Sequence, residues 1–279
     1  WLVTELERRR LSPGLLSRGY RAGPDGRSDE AQLLESLLPG VPHVQGKDRV
    51  RGGTKLVELG CRSIVLDDGF QHRRLHRDLD LVLVDVTRPW GLPAPAGEGA
   101  PVRAFLPRGL LREPPSSLTR AHAIVLTRVS QLEPAALEDL AREIERFAPG
   151  VPLLRADHRP LRFRDERGRA LSLDAFAGIE IDLVSGIGNP EAFERTIRSL
   201  GASIRTHRAF QDHHAYAAAD LDGLGAGRAL VTTAKDAPKL AEVATRGASF
   251  VVLEVSISFT SGASVLEALL DALQAGKHG

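Results

Sequence analysis

Short apolar runs rich in β-branched residues, set apart by amphipathic stretches, constrain this chain more than any other feature. Ser63-Ile64-Val65-Leu66, Leu79 to Val86 and Ala123 to Leu126 are bounded by charged or turn-forming residues. Runs of this kind suit strands buried on both faces of a parallel sheet. Gly14-Leu15-Leu16 adds another, following a helix tail (Leu2, Leu6 and the run Glu5 to Arg10) that Pro13 and Gly14 stop. Helical periodicity lies between the runs, over Glu30 to Leu38 and Pro134 to Phe147. The alternation predicts a doubly wound α/β core with a parallel sheet.

From Val151 the pattern changes. Leu161-Arg162-Phe163 and Ala170 to Leu173 flank Asp165-Glu166-Arg167-Gly168, which reads as a hairpin around a Gly-containing turn. Beyond it, Ile181 to Ser185, Ala229 to Thr232 and Phe250 to Val255 read as strands, with helices over Pro190 to Leu200, Ala217 to Leu224 and Ser264 to Ala275. The expected organisation is a core over 1–152, a β-hairpin linker over 153–177 and a second, smaller α/β domain over 178–279. A chain of 279 residues that is 42% hydrophobic can bury two such cores. Gly91 to Pro101, rich in Gly, Pro and Ala, reads as a loop.

Charge is balanced, 37 Lys and Arg against 36 Asp and Glu, so no overall field points to nucleic acid. Cys61 is the single cysteine, which excludes an internal disulfide and fits a reducing compartment. No run approaches the ~18 apolar residues of a membrane span. Methionine is absent throughout, position 1 included, which places the expected biological start upstream of Trp1.

The most specific chemistry lies in Leu66-Asp67-Asp68-Gly69-Phe70-Gln71-His72, directly after an apolar run. Acids at the carboxyl end of a parallel strand face the crevice where α/β proteins bind ligands, and a strand-end Asp holds Mg²⁺ in phosphate-loop NTPases. An isolated Asp-Asp-Gly also simply starts a turn. The neighbouring strings weigh against that blander reading. Leu16-Ser17-Arg18-Gly19-Tyr20 follows a strand, Asp29-Glu30 opens a helix, and Gly186-Ile187-Gly188-Asn189-Pro190 follows another strand. Phe210-Gln211-Asp212-His213-His214-Ala215-Tyr216 and Thr232-Thr233-Ala234-Lys235-Asp236 come next, with Asp85-Val86-Thr87-Arg88-Pro89, Leu106-Pro107-Arg108-Gly109 and Leu111-Arg112-Glu113-Pro114 between.

In this order, and over nearly the whole chain, these strings resemble the tetraacyldisaccharide 4'-kinase family. The resemblance implies a P-loop NTPase-like first domain that uses ATP and Mg²⁺. It also implies transfer of the γ-phosphoryl group to the 4'-hydroxyl of a tetraacylated glucosamine disaccharide 1-phosphate, the lipid A precursor. The place of action is then the cytoplasmic face of the bacterial inner membrane, with the enzyme peripheral to it. Carried over residue by residue, Asp67 and Asp68 engage the metal with Glu113 helping to order it, and Asp29 is the general base on the sugar hydroxyl. His213 or His214 assists that base. Arg18, Thr232 and Lys235 are candidates for the nucleotide, and Gln71, His72 and Arg112 for the substrate.

The chain departs from the family pattern in three places. It contains no Gly-x-x-x-x-Gly-Lys-Ser/Thr string, and Arg51-Gly52-Gly53-Thr54-Lys55 lacks that spacing. The first domain is therefore expected to be N-terminally truncated, without the phosphate loop and the hydrophobic helix that precede it, and transfer by this chain alone to be impaired. Ser28 stands where a Gly usually precedes the Asp, and Leu92 to Ala104 replaces a shorter turn. Leu33-Leu34 with Leu37-Leu38 reads as a core-facing stripe rather than a membrane anchor. Two alternatives remain: an inert relative that binds lipid or a partner, and a Mg²⁺-dependent nucleotide or sugar-phosphate hydrolase.

Overall fold

The computed structural model describes residues 1–19, 28–90, 104–106, 109, 111–243 and 249–276. Tyr20, most of the Gly91 to Ala104 loop, Pro107 and Arg108 lie outside them, as does the side chain of Asp29. Eleven strands and seven helices run in the order α1 (Leu2–Arg8), β1 (Pro13–Ser17), α2 (Asp29–Leu37), β2 (His43–Gln45), α3 (Arg49–Glu58), β3 (Ser63–Leu66), β4 (Leu81–Asp85), β5 (Ala123–Thr127), α4 (Pro134–Phe147), β6 (Leu153–Asp165), β7 (Ala170–Leu171), β8 (Glu180–Ser185), α5 (Pro190–Ser199), β9 (Ser203–Ala209), β10 (Leu230–Thr233), α6 (Ala237–Val243), β11 (Phe250–Ser261) and α7 (Ala263–Gln274). The chain forms two compact units. The first holds Trp1–Arg18, Asp48–His158 and Ile257–Gly279, the second Gly19–Lys47 and Arg159–Ser256.

In the first unit β1 pairs with β3 in parallel, with Leu16 opposite Leu66, and β4, β5 and β6 follow one another in parallel. Alternate residues of β5 go to opposite faces. Ile124 and Leu126 pack under Leu137, Leu140 and Ile144 of α4. Ala123 and Val125 pack with Leu6 of α1 and Leu266 and Leu270 of α7. Helices on both faces explain why β5 reads as an unbroken apolar run. In the second unit β9, β8, β10 and β11 lie side by side in parallel. Ile181 and Leu183 face α5 through Phe193 and Ile197. Val184 and Leu230 pack on the other side with Leu240 of α6. The architecture is thus α/β with parallel strands predominating.

Most of the expected elements appear, and the differences have local causes. The stretch Ala217 to Leu224 forms only a 3₁₀ turn over Ala218–Leu221, because the Asp220 carboxylate turns back to the Ala217 N–H. Strand β11 runs six residues beyond Val255. Arg51 to Lys55 lies inside α3, where Gly52 and Gly53 are buried and Gly53 approaches Ile64. Strand β6 carries the hairpin, Phe163 opposite Leu171, and Gly168 turns the chain at φ +79°. Helix α2 packs on the three-residue β2, too short to cover the whole Leu33–Leu38 stripe, and Leu37 is left 58% exposed. No helix among the described residues is long and apolar enough to cross a membrane.

Candidate active site

In the first unit, β1 and β3 end together and deliver Arg18 on one strand and Asp67-Asp68 on the other. The Asp67 N–H donates to the Leu16 carbonyl (2.9 Å), continuing the ladder one residue past the strand. Asp68 then takes a left-handed conformation, φ +51°, which turns the chain sharply. Aspartate tolerates that region better than most residues, and such outliers cluster at functional sites. Both aspartates are exposed at the strand end.

A basic set surrounds them. Arg112 Nη1 donates to Asp68 Oδ1 at 2.6 Å. Arg49, only 4% exposed, donates through Nη2 to the Asp67 carbonyl at 2.9 Å, and its Nη1 is buried without a hydrogen-bond partner. Burial pushes the Arg49 guanidinium below its ordinary value, the carboxylates of Asp67 and Asp68 oppose that, and nearby Arg18 adds to it. Arg49 escaped the sequence reading, although a signal existed. Asp48 caps α3 by accepting from the Arg51 N–H, so Arg49 is a cation in the first turn, where the helix dipole favours an anion. A cation placed there against its own helix is held for another reason.

Glu113 is differently occupied. Burial opposes its charge, but hydrogen bonds from Arg120 (2.6 Å) and Ser117 outweigh this and hold it below the usual carboxylate range. Among the described residues no three His, Cys, Asp or Glu side chains converge as a metal cage. Gln71 is exposed on the following turn, while His72 Nε2 is buried without a hydrogen-bond partner.

In the second unit, the strand ends of β8 and β10 carry a separate polar cluster. The structure separates the two histidines. His214 is committed: its Nε2 lies 2.9 Å from Asp220 Oδ2, its ring stacks on Phe210 at 4.1 Å and meets Tyr216 edge-on. His213 has φ +64° and sits beside the Asp212 carboxylate, which accepts from its backbone N–H at 3.1 Å. Lys235 Nζ donates to the same oxygen at 2.8 Å. Thr232 is buried in the sheet, its hydroxyl donating to the Val184 carbonyl. Burial, with the Asp236 carboxylate opposite, keeps the Tyr216 phenol protonated far above its ordinary range. Asp29 opens α2, with Ser28 as its cap accepting from the Ala31 N–H at 3.3 Å, so the serine that departs from the family pattern serves the helix start.

The chain as a whole is similar to known proteins. A family model for tetraacyldisaccharide-1-P 4'-kinase matches residues 1–274. Tetraacyldisaccharide 4'-kinase of Anaeromyxobacter dehalogenans (strain 2CP-C) is 39% identical over 282 residues, covering 92% of this chain and 72% of its own. The enzyme of that name from Syntrophus aciditrophicus is 35% identical, covering 88% and 72%. A crystal structure of an "apo" form of LpxK from Aquifex aeolicus in complex with ATP superposes with a TM-score of 0.66 at 25% identity, covering 96% of this chain and 81% of that one. With strand-end carboxylates, the histidine turn and a match over nearly its full length, the chain belongs to the tetraacyldisaccharide-1-P 4'-kinase family.

Proposed function

We propose that this chain is the catalytic body of a kinase that transfers the γ-phosphoryl group of ATP to the 4'-hydroxyl of a tetraacylated glucosamine disaccharide 1-phosphate, at the cytoplasmic face of the inner membrane. The observation that carries this reading is the paired Asp67 and Asp68 at the end of β3, with Arg112 on the Asp68 carboxylate, Arg49 on the Asp67 carbonyl and Arg18 near Arg49. ATP is supported by the nucleotide in the Aquifex aeolicus structure. Mg²⁺ usually keeps several waters and takes one or two protein carboxylates plus substrate phosphates, so two strand-end aspartates suit it. When bound, the ion would neutralise charge on the transferred group. The arginines then have phosphate oxygens to bind bidentately.

Of the protein's own groups, Asp29 is the base that accepts the sugar hydroxyl proton. His213, whose Nε2 lies 3.7 Å from the Asp212 carboxylate, is its assisting imidazole, while His214 holds Asp220 and stacks on Phe210. Replacing His213 by Ala is expected to lower transfer by about a hundredfold with the fold intact. His214→Ala acts instead on stability, removing a stacked ring and the Asp220 partner; steady-state rates and thermal unfolding of both variants separate the two roles.

The first unit reads as a P-loop NTPase-like core without its loop. Without backbone amides and a lysine to cradle the β- and γ-phosphates, residues 1–279 alone transfer phosphate poorly. The test is radiolabelled transfer from ATP to the disaccharide lipid with and without a phosphate-binding segment joined ahead of Trp1. Activity restored by that segment is expected. Ordinary turnover by residues 1–279 alone overturns the requirement for the loop, and silence in both supports an inert relative.

A further inference from the structure

Three side chains at the start of α6 reach away from their own helix to the strand ends and turn that carry His213. Asp236 is 0% exposed; its Oδ2 accepts from the Gly186 N–H at 3.0 Å and from the Thr233 hydroxyl at 2.7 Å, joining the ends of β8 and β10. Lys239 Nζ donates to the His214 carbonyl at 3.0 Å and lies 3.8 Å from Asp236 Oδ1. Lys235 Nζ donates to the Asp212 oxygen that also accepts from the His213 N–H. Together they touch the turn on both sides of His213.

That turn needs external support. The left-handed conformation of His213 is disfavoured for a residue with a Cβ; the turn's own bonds, the His214 N–H to the Gln211 carbonyl at 3.1 Å and the His213 N–H to Asp212 at 3.1 Å, are supplemented by the Lys235 and Lys239 side chains. The packing around it leaves little slack: a Cβ on Gly186 would stand 2.9 Å from the Tyr216 hydroxyl, 3.2 Å from Asp236 Oδ1 and 3.4 Å from the His214 Cβ. A Cβ on Gly188 would lie 3.7 Å from Asp212 Oδ2, in ordinary contact. The glycine loop and the histidine turn are therefore closely packed.

We propose that Lys235, Asp236 and Lys239 form a positioning element that fixes His213, through the Asp212 carboxylate on one side and the His214 carbonyl on the other. Its catalytic meaning rests on His213 being the assisting imidazole, but its conformational content does not. Neither lysine need touch substrate in this role. Each replaces solvent at one end of a three-residue turn, so removing both frees the turn while Asp236 still joins the strands.

The experiment is backbone and side-chain NMR of labelled residues 1–279, comparing the wild type with Lys235→Met, Lys239→Met and the double variant. The HN–Hα coupling and Cα shift of His213 report its φ directly. In the double variant the left-handed population is expected to fall roughly tenfold relative to extended conformers, with smaller losses in the single variants. Arginine at both positions should restore it, while signals from β8 and β10 stay in place. Wild-type His213 coupling and shift in a folded double variant overturns the proposal. If that protein does not fold, Lys235→Met alone decides, and unchanged His213 signals there overturn it equally. A separate finding that His213→Ala transfers phosphate normally would remove the imidazole role and leave this conformational result standing.

Discussion

Asp29→Asn is expected to lower phosphoryl transfer by about 10²–10⁴-fold while leaving ATP binding unchanged, because an amide cannot take the proton that a carboxylate accepts from the attacking hydroxyl. Asparagine preserves the size of the side chain, and the start of α2 is already capped by Ser28. Loss of a negative charge in the first helical turn costs only ~0.3–1 kcal/mol. A rate loss of three orders with a nearly unchanged melting temperature therefore separates a chemical role from a structural one. The measurement is single-turnover transfer to the lipid acceptor beside a nucleotide-binding titration, both in the kinase with a phosphate loop joined to it. An unchanged rate would move the base to another residue; weakened ATP binding with an unchanged bound-state rate would make Asp29 a nucleotide ligand instead.

The second large effect is on stability. Asp182→Ala is expected to destabilise the second unit by about 3 kcal/mol. Asp182 is 0% exposed on β8, its two oxygens taking Nε and Nη2 of Arg205, each at 2.7 Å, and the Gly225 N–H at 2.9 Å. Alanine leaves that N–H and the Nε of Arg205 without this acceptor, while Nη2 keeps the Gly223 carbonyl at 2.8 Å. The pair also gives a signed pH dependence. Arg205 holds the Asp182 carboxyl below its ordinary range, with the Gly225 N–H assisting against burial. A lowered carboxyl contributes stability that is present above its unfolded value of about 3.9 and is lost as pH falls through the folded value. Urea denaturation from pH 7 down to pH 2 should therefore show wild-type stability falling below about pH 4, and a flatter acid limb for Asp182→Ala. Parallel acid limbs in the two proteins would show that this pair does not carry the dependence.

These two cases also mark how far the sequence could be read. Asp29, Asp67, Asp68 and the histidine pair could be proposed from the sequence because short motifs in a fixed order are local information. Arg49, by contrast, gave only an electrostatic oddity at a helix start, and its buried contact with the Asp67 carbonyl needed the fold. The different surroundings of His213 and His214 were equally closed to sequence. Adjacent identical residues differ here because one ring stacks on Phe210 and the other follows a left-handed backbone.

By itself the sequence determined the α/β class, the strands β3, β5 and β8 and the helices α4, α5 and α7, since apolar periodicity and turn residues act over a few neighbours. It also determined the family, through the order of its motifs. Only the tertiary structure decided that residues 19–47 group with 159–256 and that 257–279 return to the first unit. Strand β9, with its alternating Ser203-Ile204-Arg205-Thr206-His207, reads poorly alone because its partners lie elsewhere in the chain. There the register against β8 slips past Arg205, Ile181 pairing with Ile204 and Asp182 with Thr206. The extra residue lets the guanidinium meet the carboxylate buried on β8 between Ile181 and Leu183. A charge in the middle of β8 is a cost until that long-range contact exists, and a contact across 23 residues of chain is a property of the folded sheet.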